Sequence, residues 1–328
     1  SMNLALPRAR RVLPAIALGF ACTALAQGGN PSDPLAWLTR ASQASRQVTY
    51  EGVYVHTNGD RTSTVRISHA NHAGEEHERI EPLDGASMEI VRRNEEMYCR
   101  FPDAKTVRLD PRITNRFFPA ILSASAETIA SSYEVKLGKT ERVLGYECQW
   151  IRLQSRDQLR YSQRLCSELS SGLILRAKVV NPTKQVIEQY TFTELRIGPQ
   201  ATKADLKSIF KARSRQWVVD GQPRDETATV DTGWTVSKAP AGFQKVAELK
   251  RTLPGREKPV SQIVLTDGVA SMSIFVEPAA ASRAAESSSE DGTTAFYARP
   301  MGEQLVTVLG EVPLATAQLV ARNVTRRP

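Results

Sequence analysis

GWTVSKAPAGF (233–243), LPGREKPVSQIVLTDGVASMSIFVEP (253–278) and RPMGEQLVTVLGEVPLATAQLVARNV (299–324) decide how the second half of this chain folds. Asp267-Gly268 stands between two apolar runs, Ser261–Thr266 and Val269–Glu277, and predicts a tight hairpin. Two more strands, Thr294–Arg299 and Glu303–Leu309, lead to a last helix opened by Pro313. Between them Ala279–Thr293, rich in Ala and Ser, reads as a mobile loop. The expectation is a small β-rich domain closed by one helix.

Upstream, Asp220–Thr232 is polar and marks a boundary, and Lys203–Arg213 reads as a short helix. Asp33-Pro34 opens a first helix, in which Leu35, Leu38 and Ala41 recur at helical spacing. From Tyr50 the period becomes two, and Asn58-Gly59 signals a hairpin. Strand-like runs follow at Met88–Arg92, Glu96–Phe101 and Thr106–Leu109. They resume at Tyr133–Leu137, Arg142–Leu153, Leu159–Cys166, Leu173–Val180 and Val186–Ile197. So many hairpin-linked strands favour one large curved antiparallel sheet over a parallel α/β fold. Ile113–Ser132, with Phe117-Phe118-Pro119, Ile121, Leu122 and Ile129, reads as apolar loops or helices lying over it.

The chain's first residues read as an export signal. Arg8, Arg10 and Arg11 precede a short apolar stretch, Leu13–Leu25, and Ala24-Leu25-Ala26 offers the small residues of a cleavage site before Gln27. The apolar stretch falls short of the roughly 20 residues a bilayer demands. Lipidation at Cys22 is disfavoured because Gly19 stands where a lipobox wants Leu. Loss of residues 1–26 lowers the formal charge from +8 to +5. Charges of both signs are interspersed, with no basic helix or aromatic-basic motif, so no nucleic-acid partner is expected.

No catalytic constellation emerges. Gly138-Lys139-Thr140 lacks the upstream glycine of a phosphate loop, because Tyr133 stands there. Neither a G-x-S-x-G elbow nor an H-E-x-x-H helix is present, so neither enzyme nor cofactor is expected. His69, His72 and His77 with Glu75, Glu76 and Glu78 mimic a metal site, but they span a strand end and a polar turn. They read as a solvated loop, and no metal is assigned.

The three cysteines beyond the signal are Cys99, Cys148 and Cys166. A hairpin turning about Asp157 sets Trp150 opposite Arg164, Arg152 opposite Ser162 and Cys148 opposite Cys166. Opposed Cα atoms sit about 4.5–5.5 Å apart, within disulfide range. A Cys148–Cys166 bridge and two buried thiols are both open, and Cys99 stays free either way. Met97, Cys99 and Phe101 share a sheet face, as do Leu173, Leu175, Ala177 and Val179, and Tyr190 with Phe192. Tight cover by the Phe117–Ile129 segment makes this face an ordinary core. Loose cover makes an apolar cavity suited to acyl chains.

The three C-terminal phrases resemble the C-terminal domain of the RseB/MucB family, periplasmic negative regulators of sigma-E-type (AlgU-like) envelope-stress signalling. DPLAWLTRASQASRQVTYEGVYVH (33–56), YSQRLCSELSSGLILRAKVV (161–180) and VIEQYTFTEL (186–195) are similar to its N-terminal half. Cys166 stands where that family leads one to expect tryptophan. The resemblance implies a mainly β (α+β) protein: a signal peptide (1–26), a large LolA/LolB-like unclosed antiparallel barrel covered by helices (27–200), a helix and linker (201–232), and a small mixed α/β domain (233–328).

It further implies a periplasmic protein that binds the periplasmic region of a membrane-spanning anti-sigma factor, shields it from proteolysis and lets go when lipid or lipopolysaccharide fragments enter the large domain. A homodimer is also implied. On this reading Met97, Phe101, Phe117, Phe118, Leu122, Leu173, Leu175 and Phe192 form the lipid cavity or its lid. Trp234, Phe243 and Phe275 form the partner surface, with small-domain core as their alternative. The rival function is a lipid or lipoprotein carrier of the LolA type, for which a second domain is superfluous.

Overall fold

In the computed structural model the described residues are 32–103, 106–109, 116–198, 218–220, 230–252, 257–280 and 285–328, with 106–109 and 218–220 as backbone. The export-signal assignment, the helix at Lys203–Arg213 and most of the linker lie outside them. Helix α1 (Pro34–Gln47) starts as expected: the Asp33 carboxylate accepts from the amides of Leu35 and Ala36 at 3.2 and 3.3 Å, and Pro34 fills the first turn. Its Trp37, Leu38 and Ala41 are fully buried.

Eleven strands follow, with α2 (Ala126–Ser132) among them: β1 (Tyr50–Asn58), β2 (Arg61–His72), β3 (Glu75–Pro82), β4 (Glu89–Arg93), β5 (Glu96–Phe101), β6 (Thr106–Leu109), β7 (Tyr133–Val143), β8 (Tyr146–Ser155), β9 (Ser162–Glu168), β10 (Ile174–Val180) and β11 (Val186–Ile197). They form one sheet in the order β6-β5-β4-β3-β2-β1-β11-β10-β9-β8-β7, antiparallel throughout. β12 (Val218–Asp220), from the stretch read as linker, adds a parallel twelfth strand beside β6. β7 and β12 are the two edges, so the sheet is unclosed.

The rest of the chain builds β13 (Trp234–Val236), β14 (Gln244–Arg251), β15 (Val260–Thr266), β16 (Ser271–Pro278), β17 (Ser287–Asp291), β18 (Thr294–Met301), β19 (Gln304–Gly310), α3 (Leu314–Arg322) and β20 (Val324–Arg326). Six of these strands pair as β14-β15-β16-β19-β18-β17, and β13 pairs with β20. The Ala279–Thr293 segment is therefore not simply a loop: its second half is β17, a polar strand hydrogen-bonded to β18. Among the described residues no helix is long and apolar enough to cross a membrane.

The inner face of the large sheet carries its core, where Ile67, Ile80, Ile151, Leu153, Leu165, Ala177 and Phe192 meet α1, α2 and the Phe118–Leu122 segment. Three details depart from the sequence reading. Arg142–Leu153 is two strands, broken at Leu144-Gly145, whose φ angles of 52° and 85° make a tight turn. The β8–β9 hairpin turns about Gln158 rather than Asp157, because the Asp157 carboxylate accepts from Leu159 N at 2.9 Å and from Arg160 at 3.1 Å. Cys148 therefore opposes Glu168, Trp150 opposes Cys166 and Arg152 opposes Arg164. A two-residue slip leaves every side chain on its face. Cys148 and Cys166, now diagonal neighbours, are joined by a disulfide with their Cα atoms 5.3 Å apart.

The third departure is a bulge. Ile174 pairs with Ser167 and Arg176 with Cys166, which leaves Leu175 as an extra residue in β10. It sends Leu175 to the outer face, against Val143 and the disulfide, whereas Ala177 stays with the inner core.

Candidate functional site: a cleft between the two sheets

Two clamps hold the small sheet to the large one. In the first, the β15–β16 turn carries Asp267. One of its oxygens accepts from Val269 N and Ala270 N at 2.9 and 2.8 Å, which shapes the turn. The other accepts from the Tyr133 hydroxyl and from Arg160, both at 2.8 Å. Arg160 also donates to the Ala241 carbonyl, and its guanidinium lies 4.8 Å over the Phe243 ring. Ser123 N donates to the Gly268 carbonyl at 2.8 Å. Gly268 has φ +94°, and a side chain there would strike Ala124.

In the second clamp the tips of the β1–β2 and β17–β18 hairpins meet. Asn58 accepts from Thr293 N at 2.8 Å and donates to Thr293 Oγ1 at 3.2 Å. Thr293 Oγ1 in turn donates to Glu188 at 2.9 Å. Gly59 and Gly292 face one another there so closely that a Cβ on either would meet the other turn.

Between the clamps lies a cleft of about 730 Å³. Tyr54, Phe117, Phe118 and Tyr190 line it from the large sheet, and Val246, Val264, Val269 and Leu309 from the small one. The rings are ordered: Phe118 stacks on Tyr190 with centroids 5.1 Å apart, and His56 stacks on the same ring at 4.1 Å. Its polar end holds Glu188, which bonds His56 at 2.7 Å and the Tyr190 hydroxyl at 3.0 Å. Burial, aided by the Glu188 carboxylate, holds the Tyr190 hydroxyl pKa well above its usual value. Glu311 faces the cleft's solvent but is ringed by protein. That surrounding protein and then the Glu188 charge push its pKa up to about 7. Such a space can take an apolar chain against its aromatic wall and a polar head at its acidic end.

Of the residues assigned to the cavity from sequence, Phe117 and Phe118 line it. Met97, Leu122, Leu173 and Phe192 do not. They are at most 2% exposed and belong to the core cluster that also holds Trp37 and Leu38 of α1 and Ile129 of α2, with the Phe118 ring 5.1 Å from that of Phe192. Phe101 is half-buried against that core, and Leu175 is on the wrong face because of the bulge. Of the partner surface, Trp234 and Phe243 are buried in the small sheet's core. Phe275 is half-buried, alternating with the core-facing Ile274 and Val276. Tyr54, His56, Glu188, Tyr190 and Glu311, absent from the sequence-based assignment, are the site's polar and aromatic framework.

The histidine-bearing turn also differs from expectation. His69, Glu76 and Glu78 lie on β2 and β3, are buried, and bring their ligand atoms within 4.8 Å of one another. The charges are already matched: Arg116 takes both oxygens of Glu76 at 2.8 and 3.2 Å, and His69 bonds Glu76 at 3.0 Å and the Val48 carbonyl at 2.7 Å. Burial alone would raise the Glu76 pKa, but the bonds from His69 and Arg116 outweigh it and bring the pKa to about 2. A cation could use these three ligands only by displacing Arg116.

Residues 33–210 match the family model described as the MucB/RseB N-terminal domain, and residues 228–325 that described as the MucB/RseB C-terminal domain. The sigma factor AlgU regulatory protein MucB of Pseudomonas aeruginosa is 30% identical over 300 residues, which cover 89% of this chain and 91% of that protein. The sigma-E factor regulatory protein RseB of Escherichia coli K12 is 24% identical over 297 residues, covering 88% and 89%. Among solved structures, the Pseudomonas aeruginosa MucA/MucB complex includes a chain with TM-score 0.71 and 27% identity. The match covers 90% of this chain and all of that one. MucB in complex with MucA(peri) gives TM-score 0.70 at 28% identity, with the same coverage.

Proposed function

This chain belongs to the MucB/RseB family, and we propose that it is a periplasmic regulator of an envelope-stress sigma factor. It binds the periplasmic region of a MucA-like anti-sigma factor and shields that region from proteolysis. An acyl chain of a lipid or lipopolysaccharide fragment enters the cleft between the two sheets and releases the partner. The observation that carries this reading is that both sheets wall one cleft, so that an occupant touches both and bears on how they are clamped. A ligand shifts the balance only if it binds the partner-free form more tightly. A coupling of about 1–3 kcal/mol is typical. Of the three aromatic residues first assigned to the grip, Phe275 keeps surface to offer. A carrier needs no second sheet, whereas here the second sheet supplies Val246, Val264, Val269 and Leu309 to the cleft.

The test is retention of the anti-sigma factor's periplasmic segment on the immobilised mature chain, with and without lipid A. Retention in lipid-free buffer and release on adding lipid A are expected. Absence of retention in lipid-free buffer overturns the regulator, and retention indifferent to lipid A overturns the trigger.

A further inference from the structure

On the outer face of the large sheet the register sets four cations in a row. Lys136 opposes Arg152, Arg152 opposes Arg164, and Arg164 opposes Lys178, across β7, β8, β9 and β10. All four face outward, because Leu137, Ile151, Leu165 and Ala177, each one residue along, belong to the inner core. With strands about 4.8 Å apart, the row spans roughly 14 Å. Like charges directly opposed across a sheet repel one another. The carboxylates on this face do not relieve the centre of the row: Glu134 pairs with Lys136 at 2.9 Å, and Glu141 with Arg176. Among the described residues, no carboxylate lies within ion-pair distance of Arg152, Arg164 or Lys178. Lys178 instead lies 5.4 Å over the ring of Trp150, a half-buried tryptophan beside the row.

A repulsive ladder left without internal counter-charge is stabilised by an external anion, and its regular spacing on an open sheet face matches a surface more than a groove. We propose that this outer face of β7–β10 is a docking strip for an anionic lipid bilayer. Arg152, Arg164 and Lys178 meet headgroup phosphates, and Trp150 sits at the headgroup level, where tryptophan is favoured. An extended acidic polypeptide fits less well: the row crosses four strands with no groove to hold it, and pairing with the β7 edge would lay the peptide along the strands rather than along the row. The cleft, on the opposite face, stays open while the strip is engaged. This inference stands apart from the regulator reading.

The test is sedimentation of the mature chain with vesicles of phosphatidylcholine alone or with one third phosphatidylglycerol, at low salt. Binding is expected to the phosphatidylglycerol vesicles only, and is lost at high salt. The double substitution Arg152→Gln/Arg164→Gln lowers the partition coefficient roughly thirtyfold, about fivefold per cation. A control pair in exposed turns of the small domain, Lys238→Gln/Lys258→Gln, leaves it nearly unchanged. Arg152→Lys/Arg164→Lys keeps binding, and Arg152→Gln alone serves if the double variant fails to fold. Failure of the wild type to bind, or equal losses in the strip and control pairs, overturns the proposal. So does an acidic glutamate-rich peptide whose binding falls in the strip variant while vesicle binding does not.

Discussion

Arg160 and Asp267, 2.8 Å apart with neither side chain exposed to solvent, form an ion pair that spans the two sheets. Each is held by further partners: Tyr133 and the turn amides on Asp267, Asp157 and the Ala241 carbonyl on Arg160. Removing one member of such a pair strands a buried charge, at a cost of about 3–5 kcal/mol. Arg160 keeps Asp157 as a second carboxylate, so Asp267→Asn is expected at the low end, near 3 kcal/mol. Urea denaturation measures it. Because the pair fastens the small sheet, protease cleavage between the sheets should also quicken. A midpoint unchanged within error would show that the clamp lies elsewhere.

The ionisable groups predict opposite pH responses in different parts of the molecule. Glu248 is brought to about 2: burial would raise its pKa, but Lys245, Thr232 and Arg327 bond it in the ionised form. Like Glu76, it contributes stability that is complete above its unfolded pKa of 4.5 and is lost as pH falls toward about 2. Glu311 runs the other way. With its pKa raised from 4.5 to about 7, its ionisation opposes the folded state, and stability declines as pH rises through that window. Glu311→Gln should therefore melt higher than the wild type at pH 8 and alike at pH 4. A gain of the same size at both pH values would refute the account.

Much of this architecture was legible in the chain, and the misses share one cause. Helix α1 was readable because its cap and its apolar spacing are local, as were the Asn58-Gly59 and Asp267-Gly268 turns. The face of Leu175 was not, because a bulge depends on how β9 and β10 pair rather than on β10 itself. Asp267 could be read as a turn residue but not as the partner of Arg160, which lies 107 positions away. The cleft failed similarly. Its apolar wall includes Phe117 and Phe118, visible as a cluster, but Glu188 and Glu311 meet only once the two sheets are clamped. Met97, Leu173 and Phe192 alternate as cavity residues would, and pattern alone does not reveal how completely the core encloses them.

Val246 and Leu309 line the cleft from the small sheet and stay 46% and 43% exposed, so changing them tests the cleft without touching the core. Leu309→Arg puts a charge where an acyl chain would lie. Burial of a leucine side chain is worth about 1.5–3 kcal/mol, so amphiphile affinity should fall by about tenfold or more. Displacement of a fluorescent apolar dye reports it, with the melting temperature as a check on folding. Undiminished affinity in a well-folded variant would move the ligand out of this cleft.

The disulfide offers a test of which face is which. Cys148 and Cys166 are 18 positions apart, and closing a loop of that length restricts the unfolded chain by about 3 kcal/mol. Cys148→Ser/Cys166→Ser should lower stability by that order in urea denaturation, and a reductant should do the same to the wild type while leaving the variant unmoved. The bridge packs with Val143 and Leu175 on the outer face, whereas the cleft opens on the inner one. Amphiphile affinity should therefore be unaltered at temperatures where the variant remains folded. If affinity collapsed along with the bridge, the two faces would be coupled through Ile151 and Leu165, which share their strands with the cysteines, and the outer cluster could no longer be treated as independent of the site.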